Sequence, residues 1–232
     1  MTTALLWAKP GAYKSMGNGW TGTGDMTSIN GKIYVVSGGT LYETSTEGKY
    51  KDLGGGWKDF GGIAALDGKL YLISGGTLYE TTTDGKYKEL SSGWTGTGRM
   101  TAMNGKLYVL NGGTLYETST VGKYKDLGGG WKDVGGITSL DGKIYIISGG
   151  TLYEVGTDGK YKELGGGWAS VGGLAACGKL LYAISAGHLY ETLTSGKYKD
   201  LGGSWGAIAG MTAVGEKLYI ISAGTFYETE TK

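Results

Sequence analysis

Six tryptophans stand at positions 20, 57, 94, 131, 168 and 205, each 37 residues after the last. The phrase Ser37-Gly38-Gly39-Thr40-Leu41-Tyr42-Glu43 returns in the same register at 74–80, 111–117, 148–154, 185–191 and 222–228. No insertion or deletion disturbs the spacing. All 18 tyrosines obey it, three to a repeat. A period of this length limits the chain to repeat architectures. Each copy is one supersecondary unit that cannot bury its apolar face alone, so the copies must stack.

Four short strands with four tight connections fill a unit of 37 residues and leave no room for a helix. In the first copy the runs rich in Val, Ile, Tyr and Thr are Met26–Ile29, Lys32–Ser37, Thr40–Thr44 and Lys49–Leu53. Asn30-Gly31, Asp67-Gly68, Asn104-Gly105 and Asp141-Gly142 are hairpin dipeptides, because both positions of such turns need positive φ. Glycine pairs such as Gly38-Gly39 make the second turn. The first strand is small-sided (Thr27-Ser28, Ala64-Ala65, Ala175-Ala176), which suits a crowded axis. The second is apolar on both faces, as expected of a covered sheet. The last, Lys49-Tyr50-Lys51-Asp52, carries the charges that protect an exposed edge. Strands ordered from inside to outside make a propeller blade.

The sixth copy reaches Lys232 before its fourth strand. Residues 11–19 carry the missing segment, with Tyr13 and Lys14 matching Tyr50 and Lys51. The expectation is an all-β, six-bladed β-propeller over residues 1–232, with four antiparallel strands per blade. Residues 1–10 form an extension and 11–19 complete the last blade. A trefoil of three larger units is the alternative. Two loop flavours alternate: Trp-Thr-Gly-Thr-Gly follows Trp20 and Trp94, while Trp-Lys-Asp-x-Gly-Gly-Ile follows Trp57 and Trp131.

Composition narrows the function. Lys and Arg number 22 against 21 Asp and Glu, and Arg99 is the only arginine, so nucleic-acid binding is not expected. No apolar run approaches the roughly 20 residues of a membrane span. Met1–Pro10 lacks the features of a signal peptide. One cysteine, Cys177, permits no internal disulfide, and with one histidine, His188, no Cys/His zinc site. Cys177 occupies an apolar slot and His188 a turn position, and they make no nucleophile–base pair. The expectation is a cytoplasmic protein with no catalytic residue, cofactor or metal. The 49 glycines and single proline describe neither a collagen nor a disordered chain.

Six copies bearing Trp, then Gly-Lys-Leu-Tyr, then Gly-Thr-Leu-Tyr-Glu resemble the tectonin lectins over residues 11–232. They are similar in plan to the five-bladed tachylectin-type lectins, though repeat length and number differ. The resemblance implies a multivalent, non-enzymatic lectin for microbial or invertebrate surface glycans, including lipopolysaccharide or O-methylated sugars, acting in innate defence. Candidate sugar-binding residues are Trp20, Trp57, Trp94, Trp131, Trp168 and Trp205, whose rings stack on a sugar face or wedge between blades. Glu43, Glu80, Glu117, Glu154, Glu191 and Glu228 accept sugar hydroxyls or pair with lysines. The exposed linker pairs Lys58-Asp59 and Lys132-Asp133 are further candidates. Homo-oligomers are compatible with this reading. A protein-interaction scaffold and a designed symmetric propeller without an evolved ligand are the alternatives.

Overall fold

The computed structural model describes residues 9–232, and every regular element among them is a β-strand. The first eight residues of the expected extension, with Ala4-Leu5-Leu6-Trp7, lie outside the described residues. After β1 (Tyr13–Asn18), blade 1 comprises β2 (Thr23–Ile29), β3 (Lys32–Ser37), β4 (Thr40–Thr44) and β5 (Tyr50–Gly55). Blade 2 holds β6 (Phe60–Leu66), β7 (Lys69–Ser74), β8 (Thr77–Thr81) and β9 (Tyr87–Ser92). Blade 3 holds β10 (Thr97–Met103), β11 (Lys106–Asn111), β12 (Thr114–Thr118) and β13 (Tyr124–Gly129). Blade 4 holds β14 (Gly136–Leu140), β15 (Lys143–Ser148), β16 (Thr151–Val155) and β17 (Tyr161–Gly166). Blade 5 holds β18 (Gly173–Cys177), β19 (Leu180–Ser185), β20 (His188–Thr192) and β21 (Tyr198–Gly202). Blade 6 holds β22 (Ile208–Val214), β23 (Lys217–Ser222) and β24 (Thr225–Glu230), with β1 hydrogen-bonded outside β24.

Each blade is a four-stranded antiparallel sheet. The inner strands touch in a closed cycle, β2, β6, β10, β14, β18, β22 and back to β2. The molecule is therefore a six-bladed ring. Its turns obey the dipeptide chemistry: Asn30 and Gly31 have φ of 52° and 74°, and Asp67 and Gly68 follow with 49° and 78°. The core lies between blades. Tyr34, Val36 and Leu41 of blade 1 pack against Trp57, Ile63, Leu70 and Leu72 of blade 2, and equivalent clusters follow around the ring. A blade buries both faces, so its second strand is apolar throughout: Ile33, Val35 and Val36 are at most 2% exposed.

The inner strands depart from the sequence reading. β2 starts at Thr23, three residues before Met26, because a bulge between Thr23 and Asp25 absorbs the extra Gly24. β6, β10 and β22 carry the same bulge. A bulge bends its strand and re-aims the side chain beside it. That places the residue at position 25 and its copies at the mouth of the axis.

Candidate functional site

The position just after the bulge is occupied by Asp25, Gly62, Arg99 and Gly210, and its repeat equivalents in the two blades that pair without a bulge are Gly136 and Gly173. The four glycines have a packing cause. A Cβ on Gly136 would lie 2.5 Å from Leu174 Cβ, one on Gly210 2.7 Å from Met26 Cγ, and one on Gly62 3.1 Å from Met100 Cγ. The apolar residue of the next inner strand leans over the backbone at these places. Asp25 and Arg99 fall where that next residue is Ile63 or Ile137. Ring geometry asks for small residues here, and two blades supply opposite charges instead.

Both charged side chains line a cavity of about 200 Å³ on the axis, together with the inner-strand threonines Thr27, Thr101, Thr138 and Thr212. Arg99 reaches from blade 3 across to blades 1 and 5. Its Nη1 lies 3.8 Å from Asp25 Oδ1, and its Nη2 donates to the carbonyl of Gly172 at 3.3 Å. That carbonyl bond is the only hydrogen bond of the guanidinium among the described residues, leaving most of its five N–H donors open to the cavity. Asp25 Oδ1 accepts from the Met26 amide at 2.9 Å. The side chains of Asp25 and Arg99 are 13% and 22% exposed. Burial pushes the Asp25 carboxyl above its ordinary pKa, although the Arg99 charge and the amides of Met26 and Ile63 pull the other way. A carboxyl with a raised pKa beside a cation with free donors is an arrangement suited to proton transfer. Deeper in the ring, hydroxyls tie neighbouring inner strands. Ser28 Oγ donates to the Ala213 carbonyl at 2.7 Å, and Ser139 Oγ to that of Ala102 at 2.9 Å.

The six tryptophans stand elsewhere. Trp20, Trp57, Trp94, Trp131, Trp168 and Trp205 are 4–8% exposed. Each packs on two tyrosines of its blade, edge to face except for the tilted Trp205–Tyr13 pair: Trp57 meets Tyr79 at 5.4 Å and Tyr87 at 5.1 Å. Its backbone amide bonds to the carbonyl of Gly39 in the preceding blade. The indole is thus a wedge joining blades. The hollow above Trp57 holds only about 70 Å³, and that above Trp168 about 40 Å³.

The six glutamates are engaged within their blades. Glu43 accepts from Tyr34 Oη at 3.1 Å, and Glu80 from Lys69 Nζ at 2.7 Å and Tyr71 Oη at 3.3 Å. Glu117, Glu154 and Glu191 accept from Tyr108, Tyr145 and Tyr182. Glu228 binds Lys217 at 2.6 Å and Tyr219 at 3.0 Å. Burial and these carboxylates push Tyr34, Tyr71 and Tyr219 up to about 12. Burial also pushes the Glu80 carboxyl up, but hydrogen bonds from Lys69 and Lys88 outweigh it and hold the group below its ordinary value. The twelve residues are spread over six blades and converge on no common site.

Asp59 and Asp133 adopt left-handed conformations at φ of 46° and 47°, shaping their linkers. Cys177 is buried, and His188 starts β20 with Nδ1 2.9 Å from Asp200 Oδ2. Among the described residues no three His, Cys, Asp or Glu side chains gather as metal ligands would. Sequence reasoning passed over Asp25 and used Arg99 only to exclude partners. The signal was present: aligning the six copies shows two charges in a column of glycines.

No family model matches the sequence, and no curated protein does. Among solved structures the chain is similar to a gluconolactonase from Xanthomonas campestris (TM-score 0.78, 11% identity, 100% of this chain and 94% of that one). It is also similar to a luciferin-regenerating enzyme (TM-score 0.77, 13% identity, 95% of each chain). A third is virginiamycin B lyase from Staphylococcus aureus (TM-score 0.68, 13% identity, 94% of this chain and 98% of that one). At these identities the likeness shows the fold alone, a six-bladed propeller. These neighbours are enzymes, and nothing among them points to tectonins. The expectation of a non-enzymatic, sugar-binding tectonin-type lectin is therefore corrected, since a ring of this shape carries catalysis in other proteins. The tryptophans and glutamates on which that expectation rested serve the ring: the indoles are 4–8% exposed, and each glutamate accepts from a tyrosine of its own blade.

Proposed function

We propose that the axial cavity is the active site of a hydrolase for small esters or lactones, with Asp25 as general base and Arg99 as the oxyanion partner. The observation that carries this reading is the Asp25–Arg99 pair in a register position where the other four blades hold glycine. Repeat packing does not ask for these two charges, and burial makes them costly. The names of the structural neighbours, among them a gluconolactonase and a lyase, support chemistry on small molecules.

The Asp25 carboxylate takes a proton from a water molecule in the cavity. The water oxygen forms a bond to the ester carbonyl carbon, and the carbonyl π electrons move onto its oxygen. Arg99 donates hydrogen bonds to that oxyanion from a fixed position, which stabilises the charge as it develops. The electron pair returns, the bond to the alkoxide breaks, and the alkoxide takes the proton from Asp25. The products are an alcohol and a carboxylic acid, whose proton passes to solvent water and leaves the carboxylate beside Arg99.

The test is hydrolysis of p-nitrophenyl acetate and γ-butyrolactone by the full chain. Asp25→Asn is expected to lower kcat/KM by about 10²-fold or more. The base works only when deprotonated, so the rate climbs with pH through a pKa above the ordinary 3.8 of aspartate. Equal rates in the wild type and Asp25→Asn, or no rate above buffer on either substrate, overturn the reading.

A further inference from the structure

The axial cavity has a second layer of polar groups below Asp25 and Arg99. Two residues further along each inner strand the six copies read Thr27, Ala64, Thr101, Thr138, Ala175 and Thr212, and all six line the cavity. Pairing is regular from Asp25 to Thr27 and from Gly136 to Thr138. Each of these threonines therefore lies on the same side of its strand as the residue two places before it, about 7 Å further along. Alanine in blades 2 and 5 shows that the ring closes without a hydroxyl at this level.

The four threonines are not equivalent. Thr212 Oγ1 donates to Ser28 Oγ of the next blade at 3.2 Å, and Thr101 Oγ1 to Ser139 Oγ of the next blade at 3.4 Å. For Thr27 and Thr138 the next blade has Ala65 and Ala176 where those serines stand, and alanine cannot accept. Neither hydroxyl has a hydrogen-bond partner among the described residues, and neither residue is fully buried. Blades 1 and 4 stand opposite each other in the ring of six. Two unpartnered hydroxyls are thus held on opposite walls of the cavity, each able to donate one hydrogen bond and accept two.

Arg99 spans the layer above, from blade 3 to the Gly172 carbonyl of blade 5. Blade 4, between them, has glycine at that level, so its first polar side chain on the axis is Thr138. At about 200 Å³ the cavity is smaller than the roughly 300–1,000 Å³ of pockets for drug-sized ligands, so it suits one small ring.

We propose that the substrate is a small hydroxylated lactone, whose carbonyl oxygen meets Arg99 while hydroxyls on the far side of its ring bond Thr27 and Thr138. This rests on the hydrolase reading and names the class of lactone. A bare lactone displaces water from the two threonine hydroxyls and returns no partner, which costs binding.

Hydrolysis of δ-valerolactone and D-glucono-δ-lactone by the full chain tests it, each rate taken relative to that in buffer. The two share a six-membered ring, and only the second carries hydroxyls. The hydroxylated lactone is expected to have the higher kcat/KM by about 10²-fold, about 10-fold for each threonine. Thr27→Val and Thr138→Val keep the side-chain shape and should each lower that ratio about 10-fold. Thr138→Ala, the residue that blades 2 and 5 already hold, serves if the valine variant fails to fold. Calorimetry with the products, 5-hydroxyvalerate and gluconate, is read beside the rates. A ratio near one, or a ratio unchanged in all three variants, with Asp25-dependent hydrolysis of δ-valerolactone, overturns the threonine contacts and leaves the hydrolase. Gluconate bound more tightly than 5-hydroxyvalerate, with the difference lost in the threonine variants and neither lactone hydrolysed, overturns catalysis and leaves the ligand class. Neither selective binding nor hydrolysis overturns both.

Discussion

Thr44, Thr81, Thr118, Thr192 and Thr229 hold equivalent places at or near the end of each third strand, at most 1% exposed. None of their hydroxyls has a hydrogen-bond partner among the described residues. The fourth copy has Val155 at this place, fully buried in the same packing. A buried hydroxyl without a partner forfeits its hydration, while the isosteric methyl does not. Each Thr→Val change should therefore stabilise the ring by about 1 kcal/mol, and Val155→Thr should cost a similar amount. Urea midpoints at constant m-value measure this, and a loss at all five sites would refute it. Asp25 carries a second expectation. Its folded pKa is raised, so its contribution to stability is full below the unfolded value and is lost as pH rises through the folded value. Relative to Asp25→Asn, the wild type should gain stability as pH falls from 7 towards 4. A pH-independent difference in Tm would count against the buried, desolvated carboxyl. The candidate site was half-legible at this scale. The charges at 25 and 99 can be read from the aligned copies, but only the bulge after Thr23 and Thr97 shows that they meet at the axis.

At the level of elements, β3 and β4 keep the bounds read from sequence, Lys32–Ser37 and Thr40–Thr44, because hairpin dipeptides fix both ends. β2 and β5 do not. A glycine beside a strand reads equally as a turn or as part of a bulge, and Gly24 and Gly54 are the latter, while Gly55 pairs with Thr40. The tryptophans were correctly placed between blades, but their period is silent on whether a face is open. Exposure depends on Tyr42 and Tyr50 folding against the indole, a contact between strands of one blade. The consequence is measurable. Trp57→Ala removes an indole that packs on Tyr79 and Tyr87 and hangs on the Gly39 carbonyl. It should cost about 3–5 kcal/mol, as expected of a large core side chain. An exposed stacking platform would instead change stability by less than about 0.5 kcal/mol. Thermal or urea unfolding of that single variant separates the two roles.

At the scale of the whole molecule, β1 covers an edge that every other blade covers from within its own repeat. Tyr13 rests on Trp205 at 4.8 Å and Tyr227 at 5.6 Å, repeating the aromatic trio of the other blades. Gly11 donates to the Glu230 carbonyl, and Glu230 donates back to Ala12. Lys14 Nζ lies 3.0 Å from Glu228 Oε1, which also receives Lys217. Glu228 is thus where segments from opposite ends of the chain share a charge. Burial pushes its carboxyl up, but the hydrogen bonds from Lys217, Lys14 and Tyr219 outweigh this and hold it below the ordinary 4.5. Its contribution is therefore present above that value and lost as pH falls through the lower folded value. Two measurements follow. Glu228→Gln should lower Tm at pH 7, and the gap from the wild type should close as pH falls below 4.5. Removing residues 1–18 should do more, because it strips β24 of its outer partner and bares Trp205. Equal Tm in the truncated and full chains would mean that the ring holds without β1. A gap for Glu228→Gln that stays constant into acid would mean that the carboxylate does not serve the join.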